Sequence, residues 1–189
     1  MPHTSRNSRR LRRWGLAAVA GVALATTAVA GAGASPAGPG KPDPSTASGE
    51  PRLHGSAGGH LPEFFGQWAG DAVAFEIDAR GMTGTFDVSH TKPDGAFVAE
   101  FDGDITCLAV GGDVAVATGV ISAGSADVPG SGITDLTGQK VAFTVYDDGR
   151  QDRFFWQWEF LGAPINDCQG TAPVFDPSWG GFKVSGEMF

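Results

Sequence analysis

Cysteine, basic charge and long apolar runs are all scarce in this chain of 189 residues, and each scarcity removes a class of function. Cys107 and Cys168 are the only cysteines and form no C-x-x-C motif, so a metal or redox-motif role for them has no support. Thirteen basic residues stand against 21 acidic ones, a net charge of −8. That balance disfavours nucleic acid and anionic membranes as partners, because both are bound through clustered Lys and Arg. No apolar run reaches the roughly 18 residues needed to span a bilayer. Also missing are G-x-S-x-G, H-E-x-x-H and any phosphate-cradling glycine loop. No window carries the stripe of an amphipathic helix.

What is present begins with an export signal. Arg6, Arg9, Arg10, Arg12 and Arg13 come with no acidic neighbour, and an Ala-rich run from Trp14 to about Thr27 follows them. The steps Ala28-Val29-Ala30 and Ala32-Gly33-Ala34 offer cleavage sites. This order of basic, apolar and small residues predicts a cleavable signal peptide over 1–34 and a secreted, extracellular protein. Arg12 stands where a twin-arginine signal wants an apolar residue, so general secretion is the favoured route. Cleavage would leave 8 basic against 21 acidic residues, a mature charge of −13. In an oxidising compartment the two cysteines pair, and closing a loop of about 60 residues stabilises the fold by roughly 4 kcal/mol.

Residues 35–66 are rich in Pro, Gly and Ser and predict a disordered spacer. His54 and His60 fall inside it and read as solvated histidines rather than metal ligands. From residue 67 to 189 the apolar period is two. Val73, Phe75 and Ile77 alternate with polar or small residues, as do Phe86 and Val88, then Phe97, Ala99 and Phe101. Ile105 to Val110 counts as a segment of its own, Val114, Val116 and Val120 mark a long strand, and Val141, Phe143 and Val145, the aromatic row from Phe154, and finally Phe182 and Val184 follow. Turns at Arg80-Gly81, Pro93-Asp94-Gly95, Gly111-Gly112, Asp147-Asp148-Gly149 and Gly180-Gly181 separate them. The pattern predicts an all-β domain, an antiparallel meander of about eight strands forming a small barrel, with a two-sheet sandwich as the alternative.

The densest aromatic segment is Phe154-Phe155-Trp156-Gln157-Trp158-Glu159-Phe160. Alternation puts Phe154, Trp156, Trp158 and Phe160 on one face, where they either fill the core or line a cavity for a small apolar ligand. Phe155, with Arg153 and Gln157 on the opposite face, reads as an exposed contact. His90 is the only histidine inside the expected domain and completes the candidate ligand-binding set. The acidic stretches Asp147 to Asp152 and Asp102-Gly103-Asp104 lack the spacing of a calcium loop and read as turn chemistry. No metal or cofactor is expected, and no residue is singled out as catalytic.

Two further segments carry a resemblance. Asp104-Ile105-Thr106-Cys107-Leu108-Ala109-Val110-Gly111-Gly112 with Gly119-Val120-Ile121, and Val141 through Gly149, resemble a group of uncharacterised secreted proteins of high-GC Gram-positive bacteria, some labelled repetin-like. The resemblance implies an all-β secreted domain and brings no activity and no functional residues. The expectation is therefore a secreted, non-enzymatic β-domain for extracellular binding or surface association. The alternatives are a barrel that binds a small apolar ligand and, after it, an isomerase- or hydrolase-like barrel. A filled interior favours the first, and a deep aromatic pocket that includes His90 or a buried carboxylate favours the other two.

Overall fold

The computed structural model describes residues 49–187. The expected signal peptide over 1–34 and the part of the expected spacer up to residue 48 lie outside the described residues. Nine strands follow one another as β1 (Arg52–His60), β2 (Ala72–Arg80), β3 (Thr83–Thr91), β4 (Phe97–Gly111), β5 (Val114–Val128), β6 (Gly132–Asp135), β7 (Lys140–Tyr146), β8 (Arg153–Trp158) and β9 (Trp179–Ser185). All belong to one sheet of order β8-β7-β5-β4-β3-β2-β1-β9, with β6 a short flap on β5. Every pairing is antiparallel. The sheet curls on itself around a single core, as the period-two pattern predicts. No helix among the described residues is long and apolar enough to cross a membrane.

The spacer expectation fails from Arg52 onward. Arg52 to His60 is a strand held between β2 and β9, and 3-10 turns over Glu63–Trp68 follow it. Its composition, RLHGSAGGH, looks like a linker because the site is too crowded for side chains. A Cβ on Gly58 would stand against the Val73 carbonyl and the Trp179 ring. Small residues here mark close approach of a neighbouring strand and its indole.

Inward-facing residues follow alternation until a bulge intervenes. Val73, Phe75, Ile77, Phe86 and Val88 are buried as the period requires. Around the start of β4 the pairing passes from His90 with Ala99 to Thr91 with Phe97, leaving Val98 as an extra residue. That bulge turns Phe97 outward and buries both Val98 and Ala99. Thr106 in β4 and Ser122 in β5 are extra residues of the same kind, and each reverses the parity of its strand. In β5 the inward row is Ala115, Ala117, Gly119 and Ile121, whereas Val114 is exposed. Small residues are required opposite large rings. A Cβ on Gly103 would come within 2.5 Å of the Phe86 ring, and one on Gly119 within 3.0 Å.

The two edges of the curled sheet, β8 and β9, form no ladder with each other. Side chains join them instead. Asp147 accepts the Val184 N–H at 3.1 Å and the Lys183 ammonium at 3.1 Å, and Asp152 accepts the Phe182 N–H at 2.5 Å. Beneath these bonds the Phe154 and Phe182 rings meet at 5.2 Å, and Phe175 pairs with the Phe154 backbone. The acidic hairpin is thus partly turn chemistry, with Asp148 accepting the Arg150 and Gln151 N–H groups, and partly the fastening of the seam.

Cys107 and Cys168 are bonded, with Cα atoms 5.4 Å apart. The bond holds the β8–β9 connection against the outside of the sheet. There the Cys168 N–H donates to Thr118 Oγ1, and Gly170 packs on Thr144 and Val116. This cover explains why Ala142 and Thr144, on the outer face of β7, are buried as well as Val141, Phe143 and Val145.

Candidate functional site

At the end of the sheet where β1, β3 and β5 finish, the interior opens into a cavity of about 290 Å³. Its walls rise from strand ends. Phe75 and Val88 come from the floor, Val98 and Ala99 from the bulge in β4, and Trp156 and Trp158 from β8. The rim is made by the connections. Leu61, Phe65 and Trp68 come from the segment after β1, Val128 and Pro129 from the β5–β6 turn, and Phe160 and Leu161 from the 3-10 turn after β8.

The rings are arranged as lining rather than as a sealed core. Phe65 stacks on Trp156 at 5.4 Å, Phe75 lies 4.5 Å from Trp156, and Phe101 meets Trp158 edge-on at 5.2 Å. Trp158 stacks on Phe160 at 5.9 Å. Trp156, Trp158 and Phe160 are all only half-buried, which leaves their faces to the cavity.

Of the expected set, the structure brings His90, Trp156, Trp158 and Phe160 to this cavity, and Phe154 does not line it. Phe154 is fully buried between Phe143, Phe75 and Phe182 and belongs to the core. Alternation continues along the row, but its first member lies at the seam while the last three stand at the mouth. Phe155 is half-buried on the rim, 6.0 Å from Phe65, rather than an exposed contact.

His90 is a polar point of the wall, where Gln157 and Asp127 are the other polar side chains among the lining residues. It shares the inward face of β3 with Phe86 and Val88, one step before the bulge. Its Nε2 lies 2.9 Å from Oδ2 of Asp71, and both side chains are largely buried, with 16% and 8% of their surface exposed. Burial holds the imidazole below its ordinary value, with the bond and charge of Asp71 pulling the other way. Asp71 is fixed by its own backbone, whose N–H donates to the Trp68 carbonyl at 3.0 Å and whose carbonyl accepts from Leu61 at 2.8 Å. No Lys or Arg lines the cavity, and Asp127 is the one carboxylate among the lining residues, with Asp71 behind His90.

Asp71, Phe65 and Trp68 escape the sequence reading. Asp71 is 19 residues from His90 in sequence, and only the β2–β3 register, which pairs Val73 with His90, brings it alongside. The histidines of the supposed spacer do not join the site: His60 is exposed, with Nδ1 3.2 Å from the Gly70 carbonyl, and His54 lies on β1 opposite Asp78. Among the described residues, no group of three or more His, Cys, Asp or Glu side chains is placed to hold a metal.

Comparison with protein-family models, curated proteins and solved structures finds no match. Nothing in those comparisons bears on the resemblance to the repetin-like secreted group.

Proposed function

We propose that this domain is an extracellular binding protein whose ligand is a small apolar molecule held in the mouth of the curled sheet. The observation that carries the reading is the aromatic cavity of about 290 Å³, walled by Trp156, Trp158, Phe75, Phe101 and Phe160 with His90 set among them. An apolar concave site with few polar groups is the usual form of a small-molecule site. The volume suits a ligand of one or two rings or a medium-length chain. Secretion is supported by the signal-like sequence over 1–34 and by the Cys107–Cys168 bond, which belongs in an oxidising compartment.

Titration with the uncharged fluorophore N-phenylnaphthylamine tests the reading. The expected outcome is saturable binding at one site per chain, with quenching of tryptophan emission, and loss of both in Trp158→Ala. Absence of binding by the folded parent protein would return the domain to surface association without a small ligand.

A further inference from the structure

The chemistry around His90 narrows the ligand further, and the argument rests on the cavity being a binding site. A carboxylate only accepts hydrogen bonds, so the contact between Asp71 Oδ2 and His90 Nε2 requires Nε2 to carry the ring proton. In the neutral imidazole the proton on one nitrogen leaves the other as a lone pair. Nδ1 is therefore an acceptor; the ring's one hydrogen bond among the described residues is made by Nε2, and Nδ1, on a residue that lines the cavity, is not among the fully enclosed unpaired atoms. The cavity wall thus offers an unused acceptor beside aromatic surface.

Charge points the same way. A ligand carboxylate would find no Lys or Arg among the lining residues, while Asp71 and Asp127 both stand nearby. His90 could meet an anion only as imidazolium, and its burial opposes that form. An anion entering here would lose its hydration and gain no fixed counter-charge. A hydroxyl loses far less and finds a matching acceptor.

We propose that the cavity takes an uncharged apolar molecule bearing a hydroxyl group, which donates to His90 Nδ1, and that it discriminates against the corresponding carboxylate. The pair Asp71–His90 acts as an oriented acceptor: Asp71 fixes the tautomer, and His90 reads the donor. Aliphatic alcohols and phenols share this chemistry.

Competition against bound N-phenylnaphthylamine at pH about 8 tests the proposal with decanol, decanoate and decyl methyl ether, which present a donor, an anion and an acceptor without a proton. The expected result is that decanol displaces the probe at about tenfold lower concentration than decanoate and about threefold lower than the ether, one hydrogen bond's worth of preference. In His90→Phe the preference of alcohol over ether, taken as the ratio of the two displacing concentrations within that variant, should fall to about one. Decanoate binding as tightly as decanol, or ether and alcohol binding equally to the parent protein, would overturn the proposal and leave the apolar site standing. Failure of the parent protein to bind the probe at all would overturn both. The ether comparison needs no variant, so a poorly folding His90→Phe protein would not shield the proposal.

Discussion

Asp87 stands in register with Glu76 on one side and Asp102 on the other, on the outer face of the sheet. Burial, and then the charges of Asp102, Glu100 and Glu76, raise its carboxyl above the ordinary 3.8. A carboxyl raised on folding binds its proton more tightly in the folded state, so stability falls as pH rises from about 3.8 through the folded value. Asp87→Asn should therefore raise the Tm at neutral pH, and added salt should narrow the gap by screening. His90 has the opposite pH slope. Its folded value lies below 6.5, so stability is lost as pH falls through that window, and thermal melts of His90→Gln should show a shallower loss on acidification. The aromatic row divides by burial. Phe154→Ala should cost about 3–5 kcal/mol as a core truncation, and Trp158→Ala about half as much because one face already meets the cavity. Denaturant unfolding of the two variants checks the difference. The face of His90 was legible in the sequence, since it follows Phe86 and Val88 at period two. Its partner Asp71 was not, because nothing local to Gly70-Asp71-Ala72 signals a contact with a neighbouring strand.

The strands themselves were read from alternation, and alternation fails where a strand gains a residue. In β4 and β5, each of 15 residues, the extra residues Val98, Thr106 and Ser122 bend the strands while keeping an apolar row inside. Without those bulges Phe97 would point inward and Leu108 outward. The sequence shows no mark for them, because a bulge is chosen by the register of two strands together. Strand β1 was hidden for a different reason: composition alone cannot separate a flexible glycine-rich linker from a strand kept small by its neighbours. Gly103→Ala tests that logic inside β4. The added methyl meets the Phe86 ring and the Val120 carbonyl, and the substitution should cost about 1–3 kcal/mol in chemical denaturation. The connection after β8 is held by the disulfide, which the cysteine count made legible. Replacing Cys107 and Cys168 with Ser should lower stability by up to about 4 kcal/mol. Amide exchange should then quicken in residues 163–172 and the outer face of β5 and β7, with β2 and β3 least affected.

On the scale of the whole domain, the sheet is completed by carboxylates. Burial alone would raise the Asp147 carboxyl, but bonds from the Val184 N–H, Lys183 and the Gly149 N–H outweigh it and hold the group below the usual 3.8. Such a group contributes stability above its unfolded value and loses it as pH falls through the folded one. Asp147→Ala should cost about 2–3 kcal/mol at neutral pH and progressively less in acid, measured by urea unfolding across pH. The pairing of β1 with β9 has a further consequence. Read from β9 through β1 to β8, the strand order becomes an up-and-down run interrupted only by the flap of β6, so the ends of the described segment, Gly49 and Glu187, interrupt a circle. These two residues lie together, with the Glu187 N–H bonded to the Gly49 carbonyl at 3.2 Å. A permuted chain opened between Asp176 and Pro177, with Glu187 joined to Gly49 through a few glycines, would keep every strand pairing and the Cys107–Cys168 bond. It should fold to the same sheet, with near-native circular dichroism, because neighbours in space would then also be neighbours along the chain.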